Sequence, residues 1–108
     1  MIQLTTIEKF AIVTILLQIM NADGIIHSKE EEYMNKVYAE LGIMISDMED
    51  ITNMDAFQAK LVINAMQDEK KQYAISLFVS MAKADGYINP LETEIIDHLW
   101  IQKGNDTI

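Results

Sequence analysis

The chain has no cysteine and no arginine. Without cysteine there are no disulfides, thiolate metal sites or cysteine nucleophiles, and nothing marks an oxidising compartment. Without arginine, all eight bases are lysines, set against 17 acids for a formal net charge of −9. Nucleic-acid binding draws on basic stripes in which arginine makes bidentate base and phosphate contacts, so no nucleic-acid partner is expected. Anionic membrane surfaces are disfavoured for the same reason. Basic proteins, metal cations and neutral partners remain open. A long hydrophobic run is also missing. The longest apolar stretch, residues 10–17, is interrupted by Thr14 and followed by Gln18 and Asn21, which is too short to cross a bilayer. Only Lys9 precedes it and no small-residue cleavage site follows, so no secretory leader is expected. The stretch reads as a buried core helix in a cytoplasmic protein with no direct membrane insertion.

The 108 residues are 50% apolar and 23% charged, enough for one globular domain with a single core. Helix signals recur along it. Thr5-x-x-Glu8 is a capping box for a helix running to about Ala22, where Asp23-Gly24 stops it. Ser28-x-x-Glu31 opens a second helix, which Gly42 ends, and Ser46-x-x-Glu49 opens a short acidic one. Asp55 is an N-cap for a helix reaching about Met66, and Asp68 or Glu69 begins a long helix to Ala84. Asn89-Pro90-x-Glu92 opens the last helix, which fades at Lys103-Gly104. No segment alternates with period two, so strands have no support. The expected fold is all-α: a compact bundle of five to six helices.

An internal repeat at an offset of 62 residues organises these helices. Residues 22–32 read ADGIIHSKEEE and residues 84–94 read ADGYINPLETE, identical at six of eleven positions. The flanks match in kind: Val13, Ile15 and Leu17 align with Ile75, Leu77 and Val79, and Met34, Val37 and Tyr38 with Ile96, Leu99 and Trp100. Residues 10–38 and 72–100 therefore form two pseudo-symmetric helix–loop–helix units, bridged by 43–67, in one domain spanning 1–108. Phe10, Val13, Leu17, Ile75, Phe78 and Ile88 are expected to share the core between them.

The loop chemistry asks for an explanation. Gly24 and Gly86 suit the left-handed turn after a helix. Asp23 and Asp85 face the negative end of a helix dipole, which costs roughly 0.3–1 kcal/mol, so each needs loop N–H groups or a cation in return. Glu30 and Glu92 follow in the first turn of the next helix. The spacing is similar to an EF-hand, with Gly24, Ile26 and Glu30 at its sixth, eighth and twelfth places. Its first and third places, however, hold Ile19 and Asn21 in one copy and Met81 and Lys83 in the other. Calcium takes 6–8 oxygens, and neither loop alone supplies them.

The paired A-D-G-x-I-x-x-x-E motifs, each after an apolar helix and before an acid-rich one, resemble the tellurite-resistance TerB-like family over most of the chain. The resemblance implies a non-enzymatic all-α bundle linked to tellurite resistance and wider stress response, working beside protein partners that are membrane-associated. It also implies metal ligation by motif acids, which here are Asp23, Glu30, Asp85 and Glu92. An all-oxygen set suits a divalent Ca, Mg or Mn ion, whereas zinc prefers nitrogen and sulfur. Against this stands a metal-free reading, in which the aspartates make Asx-type loop bonds and the glutamates cap helices in a structural or interaction module.

Other residues read more plainly. His27 has no histidine counterpart in the second loop, and His98 lies one turn after Glu94 on a solvated helix face. Met20, Met34, Met66 and Met81 fall at core positions, and Tyr38 and Trp100 are core anchors. Met44, Met48 and Met54 gather with Ile43, Ile45 and Ile51 among Asp47, Glu49, Asp50 and Asp55. That segment reads first as a short helix covering the bundle end and second as an acidic, apolar surface for a partner. With no nucleophile motif, no phosphate loop and no histidine paired across the repeat, no enzyme is expected; a metal-dependent hydrolase is the remote alternative.

Overall fold

Residues 3–22 and 28–83 are described by a computed structural model of the chain. They form five α-helices and no strand: α1 (Thr6–Met20), α2 (Ser28–Leu41), α3 (Met48–Asn53), α4 (Ala56–Ala65) and α5 (Asp68–Ala82), with a 3₁₀ turn at Ile45–Asp47. The all-α expectation is met.

α1 is the central element. Its apolar residues run round the whole circumference, the pattern of a helix covered on every side. Ala11, Ile12, Val13, Ile15, Leu16, Ile19 and Met20 are all buried. The other four helices all pack against α1, α4 and α5 most extensively. Thr14, the polar break in this run, donates its hydroxyl to the Ile51 carbonyl of α3 at 3.4 Å. Ile51 is itself buried, so α3 does cover part of the bundle. Met20, Met34, Met66 and Met81 are core residues as expected. Of the expected shared core, Val13 and Phe78 are fully buried while Phe10, Leu17 and Ile75 are half-buried. Ile75 is less covered than Val13 because α5 packs mainly against α1, α2 and α4, whereas α1 is enclosed by four neighbours. Ile88, Trp100, Gly24 and Gly86 lie outside the described residues.

Local chemistry sets the helix ends. Thr5 and Glu8 make the reciprocal capping box, with Glu8 N–H on the Thr5 hydroxyl at 3.2 Å and Thr5 N–H on Glu8 Oε1 at 2.8 Å. Asp55 and Gln58 repeat it on α4, at 2.8 and 3.3 Å. Ser46 does not cap as its spacing suggested. It lies inside the 3₁₀ turn, which Asp47 Oδ2 closes by accepting from the Met44 N–H at 2.8 Å, and Asp47 holds the N-cap position of α3 without a side-chain bond. α2 ends in a Schellman motif, with Ile43 N–H on the Tyr38 carbonyl at 2.8 Å and Gly42 N–H on the Ala39 carbonyl at 3.3 Å. Gly42 takes the left-handed φ of 71° that this motif needs.

α1 and α5 are both 15 residues long, and their bounds coincide at the offset of the repeat. Their C-caps share one conformation, φ −99° and ψ 5° at Asn21 against φ −102° and ψ 3° at Lys83. The five buried residues of α5, Ala74, Leu77, Phe78, Met81 and Ala82, fall at the repeat positions of Ile12, Ile15, Leu16, Ile19 and Met20. One ion pair ties the two starts together. Lys70 Nζ lies 3.0 Å from Glu8 Oε1, with the side chains 22% and 14% exposed, and the two residues are 62 apart in sequence. Burial pushes the Glu8 carboxyl up, but the Thr5 N–H, the Lys70 ammonium and the Thr5 hydroxyl together outweigh it and hold the group below its ordinary value of 4.5. Also on α5, burial raises the Tyr73 phenol to about 12, helped by the Glu40 carboxylate of α2, which opposes a phenolate, and by Tyr33.

Three outcomes follow from these contacts. Gly42→Ala is expected to cost about 1 kcal/mol, or roughly 4–8 °C in melting temperature. An added Cβ meets nothing within 4 Å, so the cost is backbone strain alone. Glu8→Gln is expected to cost about 1–2 kcal/mol at neutral pH, read by urea unfolding over a pH series. Because the folded Glu8 value is lowered, its contribution is complete above 4.5 and is lost as the pH falls through the folded value. Tyr73 has the opposite sign: its contribution is complete below pH 10 and lost as the pH rises toward 12. Burial raises Tyr33 and Tyr38 as well, so a phenolate absorbance titration should contain late steps, of which Tyr73→Phe removes the one toward 12.

Candidate cation site

Glu30 opens the core stripe of α2. Its buried residues are Glu30, Met34, Val37 and Leu41, the spacing of a single helix face turned to the core. Three of these are apolar and pack as expected. The fourth is a glutamate only 1% exposed, the one charged residue buried among the described residues. Its neighbours differ: Glu31 and Glu32 are exposed, and Lys29 meets Glu32 at 3.8 Å with both side chains about two-thirds exposed. Glu30 forms no ion pair among the described residues, and its Oε1 finds no hydrogen-bond donor there.

A buried carboxylate oxygen left without a donor carries a desolvation cost of about 1–3 kcal/mol or more. Its place in the first turn of α2, at the positive end of the helix dipole, returns only about 0.3–1 kcal/mol. A second orphaned oxygen lies on α1: Gln18 Oε1 is buried and also has no donor among the described residues. Gln18 sits one turn before the C-cap Asn21 at the end of α1, and Glu30 stands in the first turn of α2, the next helix along the chain. Two acceptors cannot satisfy each other. What they have in common is a demand for a donor or a cation.

The sequence singles out Glu30 as a motif acid in the first turn of its helix, a cap or a ligand; the buried stripe adds that it stands at a core position. The signal was present in the spacing Glu30–Met34–Val37, which recurs in sequence as Glu92–Ile96–Leu99. Gln18 was missed, because a lone glutamine in an apolar run carries no motif. Asp23, Asp85 and Glu92 lie outside the described residues, as do His27 and His98. Among the described residues no three acids or histidines gather closely enough to hold a metal. A full shell around Glu30 therefore needs ligands from beyond them. No helix among the described residues is long and apolar enough to cross a membrane. Compared with models of known families, with curated proteins and with solved structures, the chain finds no match.

Proposed function

We propose that the chain is a non-enzymatic, TerB-like stress-response module that binds a hard divalent cation through its repeated A-D-G-x-I-x-x-x-E loops and works through a protein partner, one associated with a membrane. The buried Glu30, whose Oε1 finds no donor among the described residues, supports this reading: a carboxylate occupies a core position where an apolar side chain would pack at no electrostatic cost. The donor chemistry fits such an ion. Glu30 and Gln18 both present oxygen, and hard cations such as Ca²⁺, Mg²⁺ and Mn²⁺ take oxygen ligands with water completing the shell. Glu30 would hold the ion, with Asp23, Asp85 and Glu92 as the further carboxylates that the repeat proposes. The family assignment rests on the doubled motif. A metal-free module is favoured by one observation only, the first-turn position of Glu30 in α2.

Thermal unfolding in chelator and in millimolar calcium, magnesium or manganese separates these readings. At a hundred times its dissociation constant, a cation that binds only the folded state adds about 2.7 kcal/mol, roughly 10–20 °C for a domain of this size. In chelator, Glu30→Gln is expected to match or exceed the wild type, since it removes a buried carboxylate; in metal it should lose the gain. The double variant Asp23→Asn/Asp85→Asn should lose the gain too. A Glu30→Gln variant that is less stable by about 1 kcal/mol in every condition would mark a cap, and no response to any of the three metals would overturn the cation reading.

A further inference from the structure

Large apolar side chains exposed among the described residues are Ile7, Met44, Ile45, Phe57 and Leu61, and four of these five fall in residues 44–61. Ile45, in the 3₁₀ turn, is 93% exposed, and Phe57, in the first turn of α4, is 69% exposed. Between them runs α3, only six residues long, which turns Ile51 inward and Glu49 and Asp50 outward. Phe57 and Leu61 stand one turn apart on the side of α4 opposite its buried residues Ala59 and Ile63. This is an i,i+4 ridge, the element by which one helix packs on another.

The charge around these residues is mainly negative. Residues 44–61 contain Asp47, Glu49, Asp50 and Asp55 against one lysine, Lys60, which is partly buried and lies between Phe57 and Leu61 on α4. Apolar contacts set among carboxylates repel acidic occupants. A second copy of the chain brings a net charge of −9, and residues 84–108 carry five acids against one lysine. Both are electrostatically mismatched. A basic partner is matched, and an amphipathic helix with lysine or arginine beside its apolar stripe supplies ridge and charge together.

We propose that the surface formed by the 3₁₀ turn, α3 and the outer ridge of α4 docks a basic amphipathic helix of a partner protein, independently of any cation at Glu30. The probe is a synthetic, fluorescently labelled helical peptide of leucine and lysine in amphipathic spacing, compared with a scrambled peptide of the same composition. Anisotropy should register binding of the amphipathic peptide that weakens as salt is added. Methyl shifts of Met44 and Ile45 should move on titration while those of the core methionines Met34 and Met81 stay. Ile45→Ser/Phe57→Ser, two exposed positions, should weaken binding about tenfold with unfolding unchanged. Glu49→Gln/Asp50→Asn should weaken it by less and flatten its salt dependence. Equal binding of the scrambled peptide, no loss with Ile45→Ser/Phe57→Ser, or shifts confined to other methyls would overturn the proposal. So would self-association of the wild type that Ile45→Ser abolishes, since the occupant would then be a second copy.

Discussion

The fold depends on the need to cover α1 on all sides. A helix with apolar residues around its whole circumference cannot lie at a surface, and an apolar helix of 15 residues is too short for a membrane. It has to be wrapped by its own chain. α4 and α5 take the larger share of its surface, α3 closes a third side through Ile51 and α2 a fourth through Met34 and Val37. The lone hydroxyl in the run finds the Ile51 carbonyl, so covering the helix also satisfies its polar break. The shortness of α3 follows from this arrangement: it needs one inward residue, and it presents acids to solvent on its other faces.

The second consequence is visible where α1 meets α5. Glu8 and Lys70 hold equivalent positions of the sequence repeat, and where equivalent positions touch each residue meets its own counterpart. Two glutamates, or two lysines, would repel at that place. The chain has Glu8 in one copy and Lys70 in the other, 3.0 Å apart, which turns the self-contact into an ion pair. It also explains a lysine in the first turn of α5, where the helix dipole disfavours a cation. Asp68 and Glu69 precede Lys70 in the same turn and oppose that penalty. α1 and α5 share a length and a C-cap conformation but differ in charge at this position.

Much of this architecture was legible before any coordinates. Capping pairs such as Thr5–Glu8 and Asp55 with its helix are local, so their spacing alone places a helix start within a residue. Gly42 was legible for the same reason. The failures share a cause, which is dependence on what packs from elsewhere. Ser46 lost its cap to Asp47 because a 3₁₀ turn, not an α-helix, opens that segment. Val13 and Ile75 are alike in the repeat but differ in burial, because α3 and α4 cover one copy more completely. Met44 and Ile45 could not be separated from Met48 and Ile51 by composition, since only the turn of a six-residue helix decides which of them face the core. Glu30 was legible as a motif acid but its burial was not, because acids in first turns are usually exposed.

Glu30 is also where the physical accounting is least balanced. The dipole of α2 favours a negative group at this position, but by less than burial costs it, and the same dipole would favour a solvated acid such as Glu31 equally. A well-packed leucine would extend the stripe of Met34, Val37 and Leu41 without the penalty; exchanges of that kind at buried charges are often neutral or stabilising. The glutamate therefore needs a compensating interaction that an apolar residue could not make. Gln18 Oε1, on α1, is a second buried oxygen with no donor among the described residues; the demand at Glu30 is for a donor or a cation. Loop N–H groups could meet it by giving two or three donors, and a cation could meet it with one particle. A cation has the further property of binding both loops if both bring their acids, and the repeat carries the same aspartate and glutamate in each copy.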